Sequence, residues 1–178
     1  MTNLWTNGTK KAFYGFLAAN IISALGSILG LVPFLGMFLN LAEVAAYVFF
    51  ILGLVAMKNA AVGTSVEAGT KRIFIGAIVL VAGAFVDILP LISMIAWIVT
   101  LAGFILMWTG YGMLKNNAAD ANAQFAGNKL ALSSLLGAIA ALVGILPLVG
   151  GVLEFILLVV VLVFAYQGWK ALANSELK

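Results

Sequence analysis

The sequence predicts an all-α, polytopic integral membrane protein with six transmembrane helices, arranged as three tandem helical hairpins. The observations behind this prediction are the composition, the length of the apolar runs and the positions of the prolines. Hydrophobic residues make up 65% of the 178 residues and charged residues 8%, against about 45–50% and about 25% in soluble globular domains. A composition this apolar is typical of a chain embedded in a lipid bilayer.

The three prolines of the chain are spaced 57 residues apart, and each lies in a similar frame, at 30–36, 87–93 and 144–150. Proline interrupts a helix, and a small or turn-forming residue stands three positions before and after each one. The spacing therefore predicts one two-helix unit repeated three times, with its turns at Pro33, Pro90 and Pro147.

We assign the repeats to residues 8–58, 69–115 and 127–170, all within a single membrane domain over residues 1–178. Loops at 59–71 and 116–128 join them. Each repeat carries an apolar run of about 40–46 residues, which as one helix would be about twice as long as a bilayer is thick. Each run must therefore fold back at its proline. The predicted spans are 12–31, 35–57, 73–88, 92–114, 130–145 and 150–169.

The basic residues predict the orientation. All nine lie near the chain ends or within or directly beside the two predicted loops, and none lies at a proline turn. The excess of Lys and Arg in cytoplasmic segments then predicts that both termini and both loops face the cytoplasm, across a bacterial or archaeal inner membrane. Glu67, Asp120 and Glu176 share this side, which leaves it a net charge of +9 − 3 = +6.

Aromatic residues cluster at the same predicted helix ends. An amphipathic ring favours the headgroup layer of a membrane, so we expect these side chains to lie at the lipid–water boundary. They are Tyr14, Trp108, Tyr111, Tyr166 and Trp169, with Trp5 on the same surface.

Glu43 is the strongest candidate for a functional side chain. It follows Pro33 by ten residues, so it lies about 15 Å along the second helix, near the middle of the bilayer. A carboxylate there must be protonated, solvated or hydrogen-bonded. Asn40, Glu43 and Tyr47 have helical spacing and form one polar stripe, and Glu154 occupies the repeat position of Asn40. This stripe is either a proton- or cation-sensitive site or a set of helix–helix hydrogen bonds.

Several other residues fit structural roles. Asp87 takes the place of Gly30 and Gly144 in the proline frame, so we expect it to stabilise a turn. Small residues allow close helix packing, within the bundle or between subunits; they include Gly26, Gly30, Gly76, Gly83, Gly103 and Gly110. We expect helix–helix hydrogen bonds from Asn20, Ser23, Ser27, Ser133 and Ser134.

The composition excludes several kinds of chemistry. The chain has no His and no Cys, so triads of Ser, His and Asp, thiol nucleophiles and thiolate or imidazole metal sites have no residues to form them. No clustered basic stripe predicts nucleic-acid binding. We expect no enzymatic activity, and we predict no catalytic, cofactor-binding or metal-ligating residue. An apolar groove could still hold a lipid or a quinone.

The middle repeat reads Gly76, Gly83 and Pro90 at seven-residue intervals, followed by Gly103 and Gly110. This spacing resembles the repeat of HdeD-like acid-resistance membrane proteins. The resemblance implies six spans in three two-helix units and an association with membrane stress. It implies no functional residue.

From these patterns we expect a non-enzymatic scaffold or accessory subunit of a membrane complex, because the turns are short and the spans carry few polar groups. Its partners would be membrane lipids and a second protein or another copy of itself. The alternative is a small proton- or cation-sensitive transporter or channel that uses Glu43 and Glu154.

Overall fold

The computed structural model describes residues 2–29, 33–87, 93–143 and 150–177, and these residues form six α-helices. The all-α prediction is confirmed for this part of the chain. The helices are α1 (Thr2–Leu29), α2 (Pro33–Ala60), α3 (Glu67–Asp87), α4 (Ser93–Asn117), α5 (Ala121–Val143) and α6 (Gly150–Ala173).

Three helical stretches within the described residues are long and apolar enough to cross a membrane: Trp97–Asn117, Ala121–Val143 and Phe155–Ala173. Each has 19 to 23 residues, which matches the roughly 20 needed to cross the hydrocarbon layer. Val44–Ala60 is a shorter apolar stretch. The prediction of membrane-length helices is therefore confirmed for α4, α5 and α6.

The two loops are shorter than predicted. Helices α2 and α3 leave only residues 61–66 between them, and α4 and α5 leave only 118–120. The alanine-rich flanks favour helix, and two acidic residues begin the next helices. The Asp120 Oδ1 accepts a hydrogen bond from Ala123 N at 2.9 Å, as an N-cap does. Glu67, the first residue of α3, pairs with Lys71 one turn later.

The α2–α3 loop turns at Gly63, whose φ of +76° lies in the left-handed region that favours glycine. Its N–H donates to the Glu67 Oε2 at 2.7 Å. The Thr64 hydroxyl donates to the carbonyl of Ala61 at 2.7 Å. These local bonds satisfy backbone groups of the loop that follows α2.

The backbone of each helix lies close to those of the helices before and after it in the chain, and the backbone of α6 also lies close to that of α1. The described residues thus form a closed ring of helices. Contacts are extensive between α1 and α2, α3 and α4, α4 and α5, and α5 and α6. They are least extensive between α2 and α3 and between α6 and α1.

Glycines form the α3–α4 interface. A Cβ added at Gly110 would lie 2.9 Å from the carbonyl oxygen of Gly69, and one added at Gly69 would lie 2.9 Å from the carbonyl oxygen of Gly110. Gly76 and Gly103 face the partner helix as closely. The close packing of these glycines within the bundle is therefore confirmed.

The predicted helix–helix hydrogen bonds have mixed outcomes. The Ser133 hydroxyl on α5 donates to the carbonyl of Val161 on α6 at 3.0 Å, which confirms the prediction. The prediction for Asn20 is wrong, because its Nδ2 donates to the carbonyl of Phe16, one turn earlier in its own helix, at 2.8 Å. The side chains of Ser23 and Ser27 lie outside the described residues.

The outer surface of the ring is strongly apolar. Every described side chain between Leu153 and Phe164 on α6 is exposed or half-buried, and Phe155 is 68% exposed. The other exposed apolar residues include Leu41, Val44, Val48 and Leu52 on α2 and Trp97, Ile98, Ile105 and Trp108 on α4. Contiguous apolar surface of this kind marks contact with lipid or with another protein.

Candidate functional site

The predicted polar stripe lies only partly within the described structure. Tyr47 is on α2 and its side chain is 45% exposed. The side chains of Asn40, Glu43 and Glu154 lie outside the described residues, although their backbones belong to α2 and α6. The structure therefore places Tyr47 at the surface and leaves the stripe itself a prediction.

The predicted proline turns also lie only partly within the described residues. Pro33 is the first residue of α2, a position where its fixed φ suits the helix and its missing N–H costs nothing. Pro90 and Pro147 lie outside the described residues, and so does the side chain of Asp87, the last residue of α3.

The described structure instead brings buried polar and aromatic groups together where the chain ends and the two loops meet. Trp5 on α1 is 0% exposed, and its Nε1 donates to the Ser175 Oγ at 3.1 Å. The Ser175 hydroxyl, also buried, donates onward to the carbonyl of Leu172 at 2.7 Å. This chain of two bonds joins residues that are 170 positions apart, and it closes the ring between α6 and α1.

Two further bonds join the chain segments at this end of the bundle. The Ser65 hydroxyl donates to the carbonyl of Asn117 at 2.7 Å. The Asn122 Nδ2 donates to the carbonyl of Asn174 at 3.3 Å. Both chain ends and both described loops therefore lie at one end of the bundle, which we call the loop end (residues 2–11, 58–72, 115–129 and 170–177).

Three aromatic rings fill the centre of the helix ring near this end. Trp169 on α6 contacts Phe50 on α2 edge-on, with 5.4 Å between ring centroids. It contacts Tyr111 on α4 in the same way at 6.2 Å. Edge-to-face contacts of this kind are favourable beyond the area they bury. The three rings join helices whose backbones do not approach one another closely.

The Tyr111 hydroxyl is buried and has no hydrogen-bond partner among the described residues. An unpaired buried hydroxyl costs about 1–3 kcal/mol relative to a paired one. Tyr111 is therefore held in place by the packing of its ring and by its backbone. The backbone of Tyr111 packs closely against α5, because a Cβ added at Gly127 would lie 2.9 Å from the Tyr111 carbonyl oxygen.

A small cavity lies beside Trp5, with a volume of about 10 Å³, close to the minimum for a single water molecule. Ser65, Leu114, Ala123 and Glu176 help to line it. It is too small for a lipid, a quinone or a substrate.

The prediction that all of the aromatic residues lie at the lipid–water boundary is wrong for three of them. Trp5, Tyr111 and Trp169 are buried, whereas Tyr14, Trp108 and Tyr166 are exposed. A signal for two of the buried rings exists in the sequence. Tyr111 follows Gly110 and Trp169 follows Gly168, and both glycines pack against a neighbouring helix. Nothing in the sequence near Trp5 identifies its distant partner.

All described basic side chains lie at the loop end, and every helix contributes at least one: Lys10, Lys11, Lys58, Lys71, Arg72, Lys115, Lys129 and Lys170. Several lie over aromatic rings. Lys129 Nζ is 4.9 Å from the ring centroid of Phe164, and Lys58 Nζ is 4.8 Å from that of Phe74.

Two of the acidic residues at this end have local partners. The hydrogen bond from Lys71, and after it the one from the Gly63 N–H, lower the pKa of the Glu67 carboxyl from its ordinary value. Asp120 caps α5 through Ala123. The remaining basic side chains therefore keep a positive field around this end.

Among the described residues, no group of three or more Asp or Glu side chains could hold a metal ion. No protein-family model, curated protein or solved structure gives a significant match to this chain.

Proposed function

We propose that this chain is an integral membrane protein whose six helices cross the bilayer as three tandem hairpins, with the loop end in the cytoplasm. The observation that carries the proposal is the exposed apolar surface of α2, α4 and α6, which is bounded at one end by basic side chains from every helix. Apolar surface stabilises a protein only in lipid or against another protein, and the basic residues favour the cytoplasmic side.

Repeated contacts support the hairpin arrangement. The bond from Ser65 to Asn117 and the bond from Asn122 to Asn174 are offset by 57 residues, the spacing of the prolines. In the first and second hairpins, close glycine pairs occupy matching places, Gly8 with Gly53 and Gly69 with Gly110. The Gly and Pro spacing that resembles HdeD-like proteins agrees with this arrangement.

Within the membrane we propose a non-enzymatic role, as a scaffold or accessory subunit. The centre of the ring at the loop end is filled by Phe50, Tyr111 and Trp169, and the cavity beside Trp5 has room for about one water molecule. The large apolar faces lie outside, on α2 and α6. A protein that is filled at this end and apolar outside acts through its surface, by contacts with lipid and with a protein partner or another copy of itself.

The alternative function, a proton- or cation-sensitive transporter or channel, is favoured by the acidic residues in the apolar helices α2 and α6. Glu43 and Glu154 are the residues that would respond to protons or bind cations, with Asn40 and Tyr47 beside Glu43.

Single cysteines test the topology, because the chain has none of its own. Val62→Cys and Ala119→Cys probe the two loops, and Leu35→Cys, Leu91→Cys and Leu148→Cys probe the proline turns. We expect an impermeant thiol reagent added to intact cells to label the turns and not the loops. Labelling of a loop and a turn from the same side would contradict the proposal.

A second experiment separates the two roles. The parent and Glu43→Gln are reconstituted in proteoliposomes with a pH gradient, and native mass spectrometry in mild detergent measures the assembly. The scaffold predicts no gradient-driven flux and a mass above the 18.6 kDa of one chain. Flux in the parent that is abolished in a folded Glu43→Gln variant would establish the transporter instead.

A further inference from the structure

The contact between α1 and α6, which we call the α1–α6 seam, is made by aromatic rings near the loop end. Phe13 on α1 lies 5.9 Å from Tyr166 on α6 and 5.5 Å from its neighbour Tyr14, measured between ring centroids. This seam and the α2–α3 contact are the least extensive in the ring. Near the loop end, the seam is held by these rings and by the bond from Trp5 to Ser175.

Two lysines stand at the loop-end side of these rings, one from each helix. Lys170 Nζ is 5.8 Å from the ring centroid of Tyr166. Lys10 precedes Phe13 by three residues and Tyr14 by four, which places it one helical turn away on the same face. Both lysines and both tyrosines are exposed.

These lysines are free of acidic partners in the described structure. The salt bridge described there joins Lys71 to Glu67 on α3, and Asp120 caps α5. Glu176 lines the cavity beside Trp5. The seam therefore presents the Lys170 ammonium group near the Tyr166 ring and the exposed Lys10 one helical turn before Tyr14. The exposed side chains of Ile21 on α1 and Val163 on α6 lie farther from the loop end.

We propose that the α1–α6 seam binds an anionic phospholipid, with Lys10 and Lys170 holding its phosphate. The inference rests on the proposed membrane insertion with the loop end at the bilayer surface. Two ammonium groups match the charge of a phosphodiester, and the tyrosine hydroxyls supply donors at headgroup depth. The acyl chains lie along the apolar surface that begins below Phe13 and Tyr166. That surface selects a phospholipid over a soluble phosphate.

The α2–α3 contact offers a less complete site. It has a lysine over a ring, since Lys58 lies above Phe74, but Lys71 on the facing helix is paired with Glu67. The pairing leaves one fewer free ammonium group for a phosphate. We therefore assign the phospholipid to the α1–α6 seam.

The test uses the full chain in mild detergent and native mass spectrometry, with phosphatidylglycerol and phosphatidylcholine of identical acyl chains as probes. The seam variant is Lys10→Gln with Lys170→Gln. The matched control is Arg72→Gln with Lys115→Gln, which removes the same charge from the same end on α3 and α4. The backbones of those two helices do not approach α1 or α6 closely in the described structure.

We expect the parent and the control to prefer phosphatidylglycerol, and the seam variant to lose about tenfold or more of that preference, since each lysine near anionic lipid contributes about 1 kcal/mol and tenfold corresponds to about 1.4 kcal/mol. Soluble glycerol phosphate should not displace the lipid. Equal preference in all three proteins, an equal loss in both variants, or displacement by glycerol phosphate would overturn the lipid site.

Reconstitution of each protein into lipid nanodiscs runs in parallel. A parent that enters nanodiscs but shows no lipid preference contradicts the seam proposal alone. A parent that stays out of nanodiscs contradicts membrane insertion, and the lipid site falls with it.

Discussion

The α3–α4 interface and the α1–α6 seam join helices in two different ways. Between α3 and α4, glycines bring the backbones together, so that an added Cβ would lie 2.9 Å from atoms of the partner helix. Between α1 and α6, the described contacts come from side chains: the rings of Phe13 and Tyr166 and the bond from Trp5 to Ser175.

The difference teaches where this fold tolerates change. A close backbone contact through glycine loses no side-chain conformational entropy at the glycine itself, but it has no room for a methyl group. A contact through large side chains spans a wider gap and depends on a few anchors. The α3–α4 interface should therefore be sensitive to enlarged residues, and the α1–α6 seam to truncated ones.

The largest expected loss of stability comes from removing Trp5, the buried side chain that joins α1 to the end of α6. Trp5→Ala removes a side chain that is 0% exposed and should lower the free energy of unfolding by about 3–5 kcal/mol, as for other buried aromatic residues. Trp5→Phe should recover much of this loss, because it keeps a ring while giving up the bond to Ser175. Unfolding by dodecyl sulfate in mixed micelles measures both.

Trp108→Ala is the matched control, since Trp108 is 42% exposed on α4. It should cost clearly less than Trp5→Ala. Equal losses at the two tryptophans would show that Trp5 does not anchor the seam.

The next largest loss of stability is expected at the α3–α4 interface, where two glycines of α4 can be compared. Gly110→Ala places a Cβ 2.9 Å from Gly69 and Ile73, and the overpacking should cost about 1–3 kcal/mol. At Gly112, two residues later, a Cβ meets nothing within 4 Å. Gly112→Ala should be neutral or stabilise the helix by about 0.5–1 kcal/mol. The same micelle titration compares them, and similar values for the two variants would argue against backbone contact at Gly110.

The smallest effect tests the buried hydroxyl next to this interface. Tyr111→Phe keeps the ring against Trp169 and removes an oxygen without a partner among the described residues. We expect unchanged stability or a gain of about 1 kcal/mol. Tyr166→Phe, at an exposed ring, is the control and should change stability by less. A loss of more than about 1 kcal/mol in Tyr111→Phe would mean that the hydroxyl bonds a buried water molecule.

Some features of the fold follow from local chemistry and could be predicted. Helix α2 begins at Pro33, close to the predicted start at residue 35, as the missing N–H and fixed φ of proline allow. The long apolar runs of α4, α5 and α6 form helices of membrane length. The packing of Gly76, Gly103 and Gly110 was also predictable, because a glycine in an apolar helix lets another backbone approach.

The candidate site was much less predictable. Trp5 and Trp108 are the same residue type near predicted helix ends, yet one is buried and the other exposed. Composition and helical period do not distinguish them, because the burial of Trp5 depends on Ser175, 170 residues away. The predicted stripe of Asn40, Glu43 and Tyr47 used helical spacing alone, and that spacing describes one helix and not its neighbours.

The amino-acid sequence by itself determined that the described residues are all-α, that α4, α5 and α6 are apolar helices of membrane length, and which glycines permit close packing. Those properties depend on interactions within a few turns of helix. Only the tertiary structure decided that α6 closes the ring onto α1 and that Trp169 joins Phe50 to Tyr111. Their physical cause is packing between segments far apart in the chain, which no local pattern encodes.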